Sequence, residues 1–200
     1  MADLESGVMV GDIRMMAKEL FSPEQIHDRV ADLAREVAQA YEPRGALHTI
    51  TVLNGSLHFS SDLRRAVARA NSALGLAMTS DTIHLASYQG TGSTGEIKKI
   101  SDLTHPVTGK HVLVIEDIVD TGKTLSVLLG ELRAQQPASL AVASLLRKPS
   151  KLAVPSAELG DDLYIGFDIG PEFVVGYGLD YDNLYRDISA VYVLSPESTE

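Results

Sequence analysis

Cysteine and tryptophan are both absent from this chain of 200 residues. Without cysteine the protein can form neither a disulfide nor a metal site built on thiolates, and a reducing cytoplasm is the expected location. The sequence also has no run of about 18 apolar residues and no basic, then apolar, leader at its start. We therefore expect neither secretion nor a membrane partner.

Positive charge is scarce as well. Lysine and arginine together number 17 against 27 acidic residues, so the formal net charge is −10. Binding of nucleic acid without regard to sequence needs a basic face, and this composition argues against such a partner. Small anionic substrates are not excluded, because backbone amides, magnesium and a few local cations can hold them.

The order of apolar patterns and turn signals predicts strands that alternate with helices. Ser22-Pro23-Glu24-Gln25 has the features of a helix start: a capping serine, a proline at the first helical position and a capping-box glutamine. Such alternation is typical of an α/β fold with a central, mostly parallel sheet flanked by helices. Helices are predicted over 22–41, 57–70 and 122–135, and strands over 46–53, 74–88 (one or two strands), 111–118, 140–146, 163–167, 173–177 and 190–194.

A chain of this length is enough for one domain, and no linker or internal repeat divides it. We expect a loose start over 1–10, a flexible Gly/Ser/Thr-rich loop over 89–96 and a disordered tail over 195–200. In parallel sheets, ligands bind beyond the carboxyl ends of the strands. Those ends carry Asn54-Gly55, Glu116-Asp117 and Arg147-Lys148.

The stretch VLVIEDIVDTGKT, residues 112–124, ends a buried strand with carboxylates and follows them with a candidate phosphate site. A Walker A loop, G-x-x-x-x-G-K-[ST], would need glycine where the chain has Asp117, so a nucleoside triphosphatase loop is excluded. Thr121-Gly122-Lys123-Thr124 still opens a helix directly after a strand, where free backbone amides and the helix dipole favour one phosphate monoester. An ordinary capped helix start fits the same four residues.

The acids of this stretch need their own explanation. Glu116 and Asp117 are expected to close the strand and to project to opposite faces, so they cannot both be core residues. Carboxylates accept hydrogen bonds from vicinal hydroxyls and bind magnesium that bridges hydroxyls and phosphates. A ribose 5-phosphate fits, with its diol at the acids, its phosphate at the helix start and Asp120 near the anomeric carbon as a candidate general base. The alternative is an acidic loop with capping aspartates.

These residues resemble a known family. VLVIEDIVDTGKT is similar to the phosphoribosyl pyrophosphate motif of type I phosphoribosyltransferases, and its Glu-Asp pair and TGKT ending resemble the hypoxanthine-guanine branch. Other segments are similar, in the family's order over about 20–194, to its pyrophosphate loop, mobile catalytic loop, base-recognition strand and C-terminal hood. They are LNGS at 53–56, SY at 87–88 with the glycine-rich segment to Glu96, SLLRKP at 144–149, and FVVGYGLDY at 173–181 with YRD at 185–187.

The resemblance implies transfer of phosphoribose from phosphoribosyl pyrophosphate to hypoxanthine or guanine, with release of pyrophosphate. It implies a single phosphoribosyltransferase domain over 1–200, with a core of about 40–160, a small hood from about 1–25 and 160–194, and a flexible lid loop. Relatives of this kind are usually homodimers or homotetramers, and we expect one of these states here.

The resemblance also assigns site residues. Asp120 would take the proton from N7 of the purine, and Ser87 and Tyr88 would close over the leaving group. Family members often carry lysine at position 54, so Asn54 leaves only a backbone contact there. The assigned groups are Glu116, Asp117, Asp120, Thr121, Gly122, Lys123 and Thr124 for phosphoribosyl pyrophosphate; Asn54, Gly55, Ser87, Tyr88 and Arg186 for pyrophosphate; and Glu116, Asp117 and Asp180 for Mg²⁺.

The purine base would meet Lys148, Phe173, Val174 and Asp180. Lys148 would donate a hydrogen bond to the 6-oxo group, Phe173 would stack on the ring, and the backbone of Val174 would contact its edge. A charged donor does not suit the 6-amino group of adenine, so hypoxanthine and guanine are the expected substrates and adenine is not. Use of xanthine stays open.

Three other hypotheses compete with this one. A regulator of the same fold would sense phosphoribosyl pyrophosphate and bind nucleic acid, which the net charge of −10 disfavours. A transferase for xanthine, adenine or a pyrimidine would share the chemistry, and Lys148 and Phe173 argue for a 6-oxopurine instead. A phosphate-binding domain without activity would have no need for Asp120.

Overall fold

The computed structural model describes residues 8–10, 13–71, 75–87, 97–99 and 101–196. In chain order the elements are β1 (Val8–Val10), β2 (Ile13–Phe21), α1 (Pro23–Tyr41), β3 (Ala46–Leu53), α2 (Leu57–Ala70), β4 (Ala77–Ser87), β5 (Ile97–Lys99), β6 (His111–Val119), α3 (Lys123–Ala134), β7 (Ser139–Arg147), β8 (Leu163–Asp168), β9 (Phe173–Val175) and β10 (Val191–Pro196).

The larger of two sheets has the strand order β5-β4-β3-β6-β7-β8. Its strands pair in parallel, apart from β5, which runs antiparallel to β4. Helices cover both faces, as a parallel sheet requires. The predicted α/β fold with a central, mostly parallel sheet is therefore confirmed.

The middle strand β6 shows why the sheet is covered on both sides. Leu113 and Ile115 belong to a core cluster that α1 and α2 complete, whereas Val112 and Val114 belong to a second cluster with the apolar face of α3. Successive side chains of a strand point to opposite faces, so an apolar run without alternation needs a cover on each side.

The first long helix begins as its sequence predicts. The backbone N–H of Gln25 donates to Oγ of Ser22 (3.3 Å), and the N–H of Ser22 donates to Oε1 of Gln25 (2.9 Å). This reciprocal capping box, with Pro23 at the first helical position, fixes the N-terminus of α1. The bounds predicted for β3 and α2 agree with the structure as well.

The smaller sheet has the order β1-β2-β10-β9 and forms the hood over the strand ends of the larger one. Two of its strands correct the sequence-based prediction: Val8–Val10 lies in the segment expected to be a loose start, and Ile13–Phe21 was not predicted. Both exist through antiparallel pairing, of β1 with β2 and of β2 with β10. β10 is distant from β2 in sequence, and such pairing leaves no local signal, whereas β1 pairs with the neighbouring β2.

Several predicted boundaries also shift. One strand, β4, occupies the described part of 74–88. The strand expected to reach Tyr177 ends at Val175, because a turn with positive φ begins at Gly176. The last strand continues to Pro196, two residues into the expected tail. The loop 89–96 and residues 197–200 lie outside the described residues. Within the described part of the chain, no helix is long and apolar enough to span a membrane.

Candidate active site

A cleft of about 460 Å³ opens at the carboxyl ends of β3 and β6. This is the edge at which ligands bind in parallel sheets. The sequence-predicted site residues that line it come from four separate segments: Asn54, Gly55, Glu116, Asp117, Asp120, Thr121, Gly122, Thr124, Asp180 and Arg186.

One end of the cleft is the N-terminus of α3. Gly122 is the N-cap, with φ +77°, and the helix begins at Lys123, one residue later than predicted. The first intrahelical bond runs from the N–H of Ser126 to the carbonyl of Gly122 (2.8 Å). The amide groups of Thr124 and Leu125, two residues that line the cleft, have no partner within the helix itself, and the positive end of the helix dipole lies beside them. This is the geometry of an anion site.

The acid pair lies at the bottom of the cleft, and here one expectation is wrong. Glu116 and Asp117 do not close β6, which continues to Val119. Both line the cleft, and their carboxyl groups interact with each other. Oδ1 of Asp117 accepts the backbone N–H of Ile118 at 2.8 Å.

Two neighbouring carboxyl groups in a part-buried site oppose each other's ionisation. Burial raises the pKa of Glu116 well above its usual range, and the charge and hydrogen bond of Asp117 raise it further. Burial also raises the pKa of Asp117. Such a pair of oxygen ligands favours a bound cation or a hydroxyl donor that relieves the repulsion.

The turn after β3 packs directly on this pair. A Cβ atom at Gly55 would overlap the carboxyl group of Asp117, so only glycine lets the backbone approach so closely. The peptide bond between Leu53 and Asn54 is cis. The backbone of Asn54-Gly55 lies beside the acid pair and lines the cleft.

At the other side of β6, Lys148 meets Asp120. Lys148 directly follows β7 and is only 4% exposed. Its Nζ donates to Oδ2 of Asp120 at 3.1 Å, and its backbone N–H donates to the carbonyl of Val119 at 2.9 Å. A buried ammonium needs a charged partner, so the ordinary surface position that most lysines occupy is excluded.

The hood contributes the remaining groups. Asp180 pairs with Arg186 (Oδ1 to a guanidinium nitrogen, 2.7 Å) and accepts the backbone N–H of Asn183 (2.8 Å). Arg186 also donates to the carbonyl of Gly178 at 2.7 Å. Phe173 is 48% exposed and stands edge-on to Tyr181, while Val174 is buried in the core cluster that contains α1 and α2. Neither Phe173 nor Val174 lines the cleft as it stands.

The sequence comparison decides the family. The model of the phosphoribosyl transferase domain family matches residues 16–182. The chain belongs to the phosphoribosyltransferase family.

Relatives that are at least 30% identical align with nearly the whole of this phosphoribosyltransferase. The hypoxanthine-guanine phosphoribosyltransferase of Mycobacterium avium is 41% identical over 93% of this chain and 88% of that relative. The enzyme of the same name from Dictyostelium discoideum is 38% identical over 92% and 98%. A solved structure of hypoxanthine phosphoribosyltransferase from Trypanosoma cruzi, in a ternary substrates complex, has a TM-score of 0.81 at 37% identity and covers 90% of this chain and 96% of its own.

Some site residues of this phosphoribosyltransferase escaped the sequence analysis. Lys151, on the short 3₁₀ turn after Lys148, places its Nζ 3.7 Å from Oδ2 of Asp120. Asn183 and His84 line the cleft. Their only signal was closeness in sequence to assigned residues, which does not tell a lining residue from a neighbour. Lys123 is exposed and does not line the cleft; Tyr88 and the side chain of Ser87 lie outside the described residues.

Proposed function

We propose that this phosphoribosyltransferase transfers the 5-phosphoribosyl group from phosphoribosyl pyrophosphate to hypoxanthine or guanine, giving the nucleotide and pyrophosphate, in purine salvage. The observation that carries the proposal is the contact between Lys148 and Asp120. A cationic donor that would meet the 6-oxo group lies there beside a carboxylate that would accept the N7 proton, and the helix N-terminus that follows suits a phosphate.

Phosphoribosyl pyrophosphate would bind across the cleft. Its 5-phosphate would accept hydrogen bonds from the amide groups and hydroxyls of Thr121-Gly122-Lys123-Thr124. Its ribose diol would donate to Glu116 and Asp117. Its pyrophosphate would meet the backbone of Asn54-Gly55 and the guanidinium of Arg186. The residues that line the cleft come from segments that lie more than a hundred residues apart in the sequence.

The residues present fit Mg²⁺ as a partner of the substrate. The acid pair offers carboxylate oxygens whose mutual repulsion a cation relieves. Among the described residues, no group of three or more histidine or acidic side chains forms a closed metal cage. Mg²⁺ is usually bound through one or two carboxylates together with waters and substrate phosphates. Glu116 and Asp117 would hold one ion and Asp180 a second, and bound Mg²⁺ would supply charge stabilisation for the leaving pyrophosphate.

The purine would lie between β6 and the hood. Lys148 would turn its ammonium to the 6-oxo group while Asp120 accepts the N7 proton, so that N9 can form the bond to the anomeric carbon as the bond to pyrophosphate breaks. The exposed ring of Phe173 would stack on the base, the backbone of Val174 would contact its edge, and Asp180 would contact it from the hood. Ser87 and Tyr88 would exclude water during transfer.

A spectrophotometric assay tests this function. Phosphoribosyl pyrophosphate and Mg²⁺ are offered with hypoxanthine, guanine, xanthine and adenine in separate cuvettes. We expect conversion of hypoxanthine and guanine and none of adenine. Binding of phosphoribosyl pyrophosphate without conversion of any base would contradict the proposal and favour a sensor of that ligand.

We also expect a homodimer or homotetramer located in the cytoplasm. Relatives of this fold motivate the first expectation and the absence of cysteine the second. Sedimentation velocity at several protein concentrations checks the assembly, and a monomer at all of them would contradict it. Cell fractionation checks the location.

A further inference from the structure

The hood touches the pyrophosphate loop through one tight turn. Gly176, Tyr177 and Gly178 all have positive φ, at +96°, +51° and +104°. Tyr177 is the only one of the three with a side chain, and a non-glycine residue keeps this conformation only where its surroundings enforce it. A Cβ atom at Gly178 would overlap the carbonyl oxygen of Gly55. The turn therefore packs against the very loop that packs on Asp117.

A side-chain hydrogen bond holds this turn in place. The hydroxyl of Tyr177 donates to Oδ2 of Asp62 at 2.6 Å, and the ring is 8% exposed. Burial raises the pKa of Tyr177, and the hydrogen bond to Asp62 raises it further, so the phenol keeps its proton and remains a donor. Asp62 lies in the second turn of α2, the helix that begins directly after Asn54-Gly55-Ser56.

Neither partner of this bond reaches the substrate cleft. Tyr177 and Asp62 line a separate cleft of about 450 Å³ between α1 and α2. The loop Asn54-Gly55-Ser56 leads directly into α2. Gly178 packs against the carbonyl group of Gly55, and the carboxyl group of Asp117 packs against Gly55 as well. The hydrogen bond between Tyr177 and Asp62 therefore joins α2 to the hood, the two elements that contact the loop from outside the cleft.

We propose that Tyr177 and Asp62 are positioning residues that hold the Asn54-Gly55 loop in the geometry that binds pyrophosphate. This inference rests on the proposed function of the loop. With Asn54 the loop offers backbone groups and no side-chain cation, so its affinity depends on where the backbone is held. Loss of the bond frees the turn to withdraw from Gly55 without removing any group that touches substrate.

Tyr177→Phe tests the inference because it removes the hydroxyl and keeps the ring. We expect the Kd for pyrophosphate with Mg²⁺, measured by calorimetry, and the KM for phosphoribosyl pyrophosphate to rise about tenfold, the scale of one hydrogen bond to a carboxylate. The KM for hypoxanthine should change less than about twofold, because β9 stays paired with β10. If Tyr177 served only stability, the variant would have a lower active fraction and a lower kcat. Its Kd for pyrophosphate and its KM for phosphoribosyl pyrophosphate would then be unchanged.

Four further variants make the test specific. Asp62→Ala should raise the Kd for pyrophosphate as Tyr177→Phe does. Asp62→Asn should bind pyrophosphate more tightly than Asp62→Ala, because it keeps a hydrogen-bond acceptor. The double variant of Asp62→Ala with Tyr177→Phe should bind pyrophosphate no more weakly than either single variant. Arg65→Ala is the matched control, since it removes the other partner of Asp62 and leaves the bond to Tyr177. It should bind pyrophosphate as wild type does.

Unchanged pyrophosphate binding in Tyr177→Phe, or an equal loss in Arg65→Ala, would overturn the inference. If Tyr177→Phe does not fold, Asp62→Ala carries the test, because Asp62 is part-exposed. Failure of the proposed function is distinguishable: wild type would then make no nucleotide. Wild-type transfer with unaltered binding in the variants refutes the positioning role alone.

Discussion

The ammonium of Lys148 lies 3.1 Å from Oδ2 of Asp120, and this contact joins the end of β7 to the turn before α3. N7 and the 6-oxo group lie on the same edge of a 6-oxopurine. A base and a cationic donor that touch each other therefore match two neighbouring atoms of one ligand. Each residue also defines where the other can point, because Lys148 is buried and its stem cannot swing freely into solvent.

Asp120→Asn should separate chemistry from binding. The amide keeps the shape and one acceptor but is a far weaker base, so turnover should fall by about 10² to 10⁴-fold. The Kd for phosphoribosyl pyrophosphate with Mg²⁺ should stay within about twofold of wild type. Single-turnover kinetics and calorimetry measure the two quantities. Unchanged turnover would contradict the role of Asp120 as general base.

Lys148→Gln should weaken the choice between 6-oxo and 6-amino purines. The neutral amide can accept as well as donate, so the ratio of kcat/KM for guanine to that for adenine should fall by at least about tenfold. Lys151→Gln is the matched control: Lys151 also neighbours Asp120, but its side chain is 41% exposed. It should leave the ratio nearly unchanged. Equal effects in both variants would mean that charge near Asp120, rather than contact with the base, sets the preference.

Gly122→Ala should weaken the proposed phosphate site at the N-terminus of α3. A left-handed φ of +77° costs an alanine about 1 to 2 kcal/mol, and its Cβ would also lie 2.7 Å from Cγ2 of Val154. We expect a lower Tm and weaker binding of ribose 5-phosphate. Gly130→Ala, in the same helix with open space around it, should instead stabilise the protein by about 0.5 to 1 kcal/mol. A Gly122→Ala variant with wild-type affinity and Tm would refute the close packing of this turn.

The acid pair predicts a pH-dependent stability. Because burial and mutual repulsion raise the pKa values of Glu116 and Asp117, the folded chain binds more protons than the unfolded chain. The free energy of unfolding then falls as pH rises from about 4, the unfolded value, through the raised folded values. Without Mg²⁺, Glu116→Gln should match wild type near pH 4 and exceed its Tm by about 3 °C or more at pH 8.

Thermal melts at both pH values, with Glu42→Gln as the control for loss of one charge, check this prediction. Glu42 is exposed at the end of α1, away from the cleft. Mg²⁺ with phosphoribosyl pyrophosphate should reverse the order, because ligand binding stabilises wild type more than a variant that has lost a ligand oxygen. A Tm of Glu116→Gln below wild type at pH 8 in the absence of both ligands would contradict the raised pKa.

The sequence by itself determined the elements that carry their own signals. The capping box at Ser22, the bounds of β3 and α2, and the uninterrupted apolar run of β6 follow from local hydrogen bonding and side-chain periodicity. The order of motifs also placed Asn54 and Lys148 at strand ends, and a parallel sheet brings such ends to one edge whatever the details of packing.

Only the tertiary structure decided the rest. β2 exists through its pairing with β10, more than 150 residues away, and charged residues within it hide the pattern of a strand. The burial of Lys148 and the close approach of Gly178 to Gly55 depend on segments that meet from distant parts of the chain. Local sequence records which groups are present. The distances between these groups are set by long-range contacts, which form only when the whole chain is folded.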